Sequence, residues 1–129
     1  MQTYAPIALF TYNRADKTKR AVESLLQNIE AKYSDLFVFS DGPKTPEKKA
    51  GVEDNRKYIH SISGFNSVHI IEREKNWGLA NSLIAGITEV INKYGKVIVV
   101  EDDLILSPYF LQFMNAVSYT HLRAQETLA

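Results

Sequence analysis

The 129-residue chain contains no cysteine. That absence excludes a disulfide scaffold, a Cys-ligated zinc site and a thiol nucleophile, although it does not identify the compartment. An excess of one charge is missing too, since 15 Lys+Arg stand against 15 Asp+Glu. With no basic field to attract a nucleic-acid backbone or an anionic membrane, nucleic acid is not expected as the partner. No apolar run approaches the roughly 20 residues of a membrane span. The opening Met1-Gln2-Thr3-Tyr4-Ala5-Pro6 lacks the basic and apolar regions of a signal peptide, so a cytoplasmic chain is expected. Histidine is scarce, and His60, His69 and His121 are too scattered for a zinc triad; any bound metal should have oxygen ligands. Also missing are G-x-x-x-x-G-K-[ST], G-x-G-x-x-G after the first strand, G-x-S-x-G and H-E-x-x-H, which removes P-loop NTPases, dinucleotide oxidoreductases, α/β-hydrolases and zincins.

What is present is a core-forming composition, 45% hydrophobic and 11% aromatic, too apolar for disorder. Short apolar runs alternate with helical patterns, the signature of βαβ units around a mostly parallel sheet flanked by helices. The strands are predicted at 7–12, 36–40, 68–71 and 97–100. The last, Val97-Ile98-Val99-Val100, is apolar throughout, as a strand covered on both faces should be. Val22, Leu25, Leu26 and Ile29 repeat at helical spacing within a helix beginning at Asp16. Thr45-Pro46-Glu47 has the order of a helix start, opening a polar helix that ends near Ser63-Gly64. The strongest apolar stripe, Leu83, Ile84, Ile87, Val90 and Ile91, is stopped by Gly95. Ser107-Pro108 opens a last, densely apolar helix. There are no repeats and no linker, so residues 1–116 are expected to be one domain. The run from Val117 to Ala129 resembles a translated sequencing adapter and is expected to be a non-native tail.

Four clusters at strand ends carry possible chemistry. Glu101-Asp102-Asp103 puts three carboxylates at the exit of what reads as the most buried strand, a self-repelling arrangement that a cation would relieve. Ligands of open α/β sheets bind outside the carboxyl ends of strands, where these acids fall. Strand alternation would set Glu101 and Asp103 on one face and Asp102 on the other. The alternative is a solvated acidic turn. Ser40-Asp41-Gly42-Pro43 offers a carboxylate to a base or ribose, but is also an ordinary turn. Thr11-Tyr12-Asn13-Arg14 supplies an aromatic face and a guanidinium suited to a ring and a phosphate. Lys75-Asn76-Trp77-Gly78-Leu79-Ala80-Asn81 leads into the strong helix, whose first amides could face an anion; a plain loop with a core tryptophan is the other reading.

Taken in order, Thr-Tyr-Asn-Arg, Ser-Asp-Gly, Asn-Trp-Gly-Leu-Ala-Asn and Val-Glu-Asp-Asp-Leu resemble the nucleotide-sugar-binding half of GT-A fold glycosyltransferases, particularly bacterial family 2-like enzymes. Val99 to Leu104 with Ser107-Pro108-Tyr109-Phe110 is similar to the corresponding segment of N-acetylglucosaminyltransferase I. The resemblance implies a Rossmann-like half of a GT-A fold that binds a nucleotide-sugar, expected to be a UDP-sugar, through Mn²⁺ or Mg²⁺ for transfer to an unknown saccharide or lipid-linked acceptor. It implies a D-x-D-type motif in which Asp103 is the metal ligand while Glu101 and Asp102 contact ribose or metal-bound water. It also assigns Asp41 to the base, Arg14 to the nucleotide, Thr11 and Tyr12 to the uridine pocket, and Asn76, Gly78 and Asn81 to its far wall. The acceptor half and catalytic base of the family have no counterpart, so the catalytic residue is unknown and the chain is expected to be a truncated, inactive fragment. An open sheet edge is then expected to cause aggregation or weak dimerisation. Two other readings stand beside this one. A noncatalytic receiver-like module would carry its acid pair on the first strand, and a sugar nucleotidyltransferase would need a glycine-rich loop after it.

Overall fold

The structure, a computed structural model, describes residues 3–117. The expected non-native tail lies outside the described residues from 118 onward. Four strands, β1 (Ile7–Thr11), β2 (Asp35–Ser40), β3 (Ser67–Glu72) and β4 (Ile98–Glu101), form one sheet in the order β3-β2-β1-β4. All three pairings are parallel. The chain winds outward from β1 to β3 and then crosses back to β4, so its direction of winding reverses between β1 and β4. In such sheets that reversal opens a crevice at the strands' carboxyl ends.

Three helices connect the strands: α1 (Ala15–Leu26), α2 (Lys49–Ile59) and α3 (Leu79–Tyr94). A fourth helical segment, α4, covers 110–117. Parallel strands need crossovers, and these cover both faces of the sheet. On one face Leu9, Val38, Ile98 and Val100 pack with Val22 and Leu25 of α1, Ile59 of α2 and Leu111 of α4. On the other, Ala8, Phe10, Phe37 and Phe39 pack with Val90 of α3. Gly86 lets α3 approach closely, because a Cβ there would lie 2.8 Å from the Phe10 ring. Gly95 ends α3 with φ of 79°, the left-handed cap expected at this position.

Several expectations shift. β1 ends at Thr11, which frees Tyr12 for the loop, and β4 is displaced by one residue to end on Glu101. The most buried strand is β1, not β4. With β1 as its one partner among the described strands, β4 lies at the sheet edge and its Val99 is only half-buried. An apolar run reports preference for a dry face but not the number of neighbouring strands. The Thr45-Pro46-Glu47 start opens as a 3-10 turn, Pro46–Lys48, without a side-chain cap. The helix proper follows and ends at Ile59, before Ser63-Gly64. A second 3-10 helix, Ile29–Tyr33, extends the connection after α1. No helix among the described residues is long and apolar enough to cross a membrane.

Candidate functional site

The strand exits open into a cleft of about 420 Å³ at the crevice between β1 and β4. Thr11, Tyr12 and Arg14 line it from the exit of β1, Asp41 from β2, Asn76 and Gly78 from the loop before α3, and Glu101, Asp102 and Asp103 from β4. Nine of the ten expected site residues therefore meet in one cleft. Asn81 does not: it is exposed, and its amide donates to the Trp77 carbonyl. Helical periodicity explains this placement. Leu79 and Ser82 are three residues apart and share the face that lines the cleft, whereas Asn81 turns away.

Asp41 organises the cleft's wall. Its Oδ1 accepts the backbone N–H groups of Gly42 and Trp77, both at 2.9 Å, and its Oδ2 accepts the Gly78 N–H at 3.0 Å and the Asn76 amide at 3.2 Å. Asn76 also donates to the Gly42 carbonyl at 2.7 Å. The carboxylate thus anchors a loop as well as lining the cleft. Two glycines permit this closure. A Cβ on Gly42 would lie 2.6 Å from the Lys75 carbonyl carbon, and Gly78 has φ of 82°, a conformation that side-chain-bearing residues rarely adopt.

Below the loop, Arg56 of α2 ties the exits of β2 and β3 together. Its Nε donates to the Ser40 hydroxyl at 2.9 Å, and its Nη2 donates to the carbonyls of Ser40 and Asp41 at 3.3 Å and of Arg73 at 2.7 Å. Glu72 lies 3.3 Å from Arg56 and 3.0 Å from His60. On the β1 side, the buried Thr11 hydroxyl donates to the Phe39 carbonyl and accepts from Asn55, which in turn accepts from Thr18. Tyr12 accepts the Lys44 N–H at 2.9 Å through its hydroxyl.

The three acids do not divide between two sheet faces. β4 stops at Glu101, so Asp102 and Asp103 lie in a turn where alternation no longer applies. Asp102 is half-buried, while Glu101 and Asp103 are exposed. Burial raises the Asp102 pKa above the ordinary carboxylate value, with repulsion from Asp103 adding to it; the Arg14 charge and backbone hydrogen bonds at Tyr12 and Asp102 oppose the rise. Cations and carboxylates therefore share the cleft: the Arg14 charge acts on Asp102, and Lys44 lines the same cleft.

Sequence reasoning missed Lys44 and Ser82 in the lining and Arg56 and Arg73 beneath it. Arg73 immediately follows β3, and that strand-end position was the available signal. Arg56 had none, because it reaches the strand exits from mid-helix.

The sequence profile of Glycosyl transferase family 2 matches residues 7–116. The chain belongs to this family. Among solved structures, this family 2 chain is similar to S. aureus TarS, with a TM-score of 0.61 at 17% identity over 88% of the chain and 19% of TarS. It is similar also to mannosyltransferase PcManGT from Pyrobaculum calidifontis, solved in complex with GDP-Man and Mn²⁺, with a TM-score of 0.63 at 12% identity over 91% of the chain and 32% of that enzyme. Both likenesses support the GT-A fold, and the chain spans less than a third of either protein. A search of curated proteins found no match. The acids stand at the exit of β4 and not of β1, which disfavours a receiver-like module.

Proposed function

We propose that the cleft binds the nucleotide-sugar donor of a glycosyl transfer, a UDP-sugar, with Mn²⁺ or Mg²⁺ on its diphosphate. The observation that carries this reading is the meeting of an aromatic, two cations and four carboxylates, from the exits of β1, β2 and β4, in one cleft at the point where the winding reverses. Tyr12 and Thr11 form the base pocket with Asp41 at its floor. Arg14 and Lys44 supply positive charge to the phosphates. Asn76 and Gly78 form the far wall.

The acids fit a hard divalent ion, since all their donors are carboxylate oxygens. Among the described residues no three His, Cys, Asp or Glu gather into a ready-made cage. That suits an ion held by one or two carboxylates and completed by the donor's phosphates. Asp103, exposed at the mouth, would be the ligand, with Glu101 and Asp102 on ribose or metal-bound water. When bound, the ion would neutralise charge developing on the diphosphate leaving group. The lining holds no histidine, and each of its four carboxylates already has a role. None remains to take a proton from an acceptor hydroxyl, so this chain is expected to bind donor without transferring sugar.

Isothermal titration of UDP with and without Mn²⁺, in the parent and in Asp103→Ala, tests the assignment. The expected result is binding at least about tenfold tighter with metal, a gain of about 1.4 kcal/mol, and loss of that gain in the variant. Equal affinity with and without metal would overturn the metal role. Tighter binding of GDP than of UDP would reassign the base.

A further inference from the structure

Arg73 is the least satisfied side chain among the described residues. It is only 9% exposed, yet its Nε and Nη2 are buried without a hydrogen-bond partner. No carboxylate among the described residues forms an ion pair with it. Its main chain is firmly held, the N–H donating to the Ser40 carbonyl at 2.9 Å and the carbonyl accepting Arg56 Nη2 at 2.7 Å. The guanidinium carbon lies 3.7 Å from the centroid of the Trp77 ring and 5.6 Å from that of Phe39. Phe39 stacks in turn on Phe10 at 4.9 Å, and Phe10 lines the cleft. A continuous stack thus runs from the cleft across β1 and β2 to the loop after β3.

Trp77 stands between the two wall residues Asn76 and Gly78. Asp41 holds this wall through its main chain and the Asn76 amide, while Arg73 holds it through the indole. A thioether or alkyl chain would fill the same space without burying an unpaired charge, which ordinarily lowers stability. What the cation adds is a directional attraction for the face of the indole, strengthened by desolvation. We infer that Arg73 is a positioning residue of the donor cleft, fixing the Trp77 indole and with it the Asn76–Gly78 wall, at a cost to the stability of the fold. The part that concerns the donor rests on the proposed nucleotide-sugar reading.

Trp77 is the only tryptophan in the chain, so intrinsic fluorescence reports on the proposed latch directly. Arg73→Met and Arg73→Lys in the full chain would be compared with the parent by thermal midpoint, Trp77 emission, acrylamide quenching and titration with UDP and Mn²⁺. Arg73→Met is expected to keep or raise the midpoint while red-shifting Trp77 emission, increasing its quenching and weakening UDP by about tenfold. Arg73→Lys, which keeps a cation, should recover part of the affinity. A purely structural arginine would instead lower midpoint and affinity together, and that result would overturn the inference. Should Arg73→Met fail to fold, the inference is likewise overturned. Unchanged Trp77 emission in Arg73→Met would overturn it as well. If the folded parent does not bind UDP, the donor reading fails, while emission and quenching still decide whether Arg73 holds the indole.

Discussion

Asp102 and Asp41 show how neighbouring atoms make different devices from the same functional group. Asp41 is buried but accepts four hydrogen bonds, so its charge is compensated and it serves as an anchor. Asp102 is half-buried beside Asp103, and its ionised form is disfavoured by burial first and by that neighbour second. A group whose pKa is raised by folding destabilises the native state when it ionises. Asp102→Asn is therefore expected to raise the thermal midpoint near neutral pH in metal-free buffer. A calorimetric scan showing a lower midpoint would mean that the Arg14 attraction outweighs burial. Residue identity alone could not separate these roles. Asp41 followed by glycine reads as a turn, and the amides of Trp77 and Gly78 reach it only because β3 returns beside β2.

At the scale of elements, the register of β2 against β3 decides whether Arg56 and Asp41 can reach their partners. Asp35, at the first paired position, helps to set it: Ser67 Oγ donates to its carboxylate at 2.6 Å and Asn66 Nδ2 at 2.7 Å. Partial burial pushes its pKa up, but those hydrogen bonds, with smaller effects from His69 and Tyr94, bring it below the ordinary value. The sign follows from linkage. A depressed native pKa stabilises the fold above the unfolded value of about 3.9, and the contribution is lost as pH falls through the native value. Asp35→Ala is expected to cost about 1–2 kcal/mol at pH 7, the scale of two solvent-accessible hydrogen bonds. In urea denaturation the difference from the parent should shrink toward acid; a difference independent of pH would place the effect elsewhere. The element types were legible because parallel strands and amphipathic helices have different periods. The 3-10 turns at Ile29–Tyr33 and Pro46–Lys48 were not, since a single turn is too short to show a period.

For the whole molecule, the distribution of apolar surface is uneven. Ile105, Tyr109 and Phe113, on and before α4, are each about two-thirds exposed or more, and they follow directly from the edge strand β4. An open edge beside exposed apolar side chains favours association. Sedimentation velocity is expected to show a weight-average mass that rises with concentration, and Phe113→Lys should reduce the rise. A concentration-independent monomer would mean that the 104–113 segment covers itself in solution.

Sequence by itself determined the α/β class, the parallel winding and the clustering of polar residues at strand ends, because hydrophobic period and strand direction are local properties that the sheet preserves. It also brought nine of the ten expected residues to one cleft, since strand ends in a parallel sheet share one side. Tertiary structure alone decided that β4 is an edge among the described strands, that Asn81 faces away, that Asp41 anchors the loop and that Arg56 and Arg73 support the wall. Each of those depends on which distant residues become neighbours across the sheet, and spacing along the chain does not encode that distance.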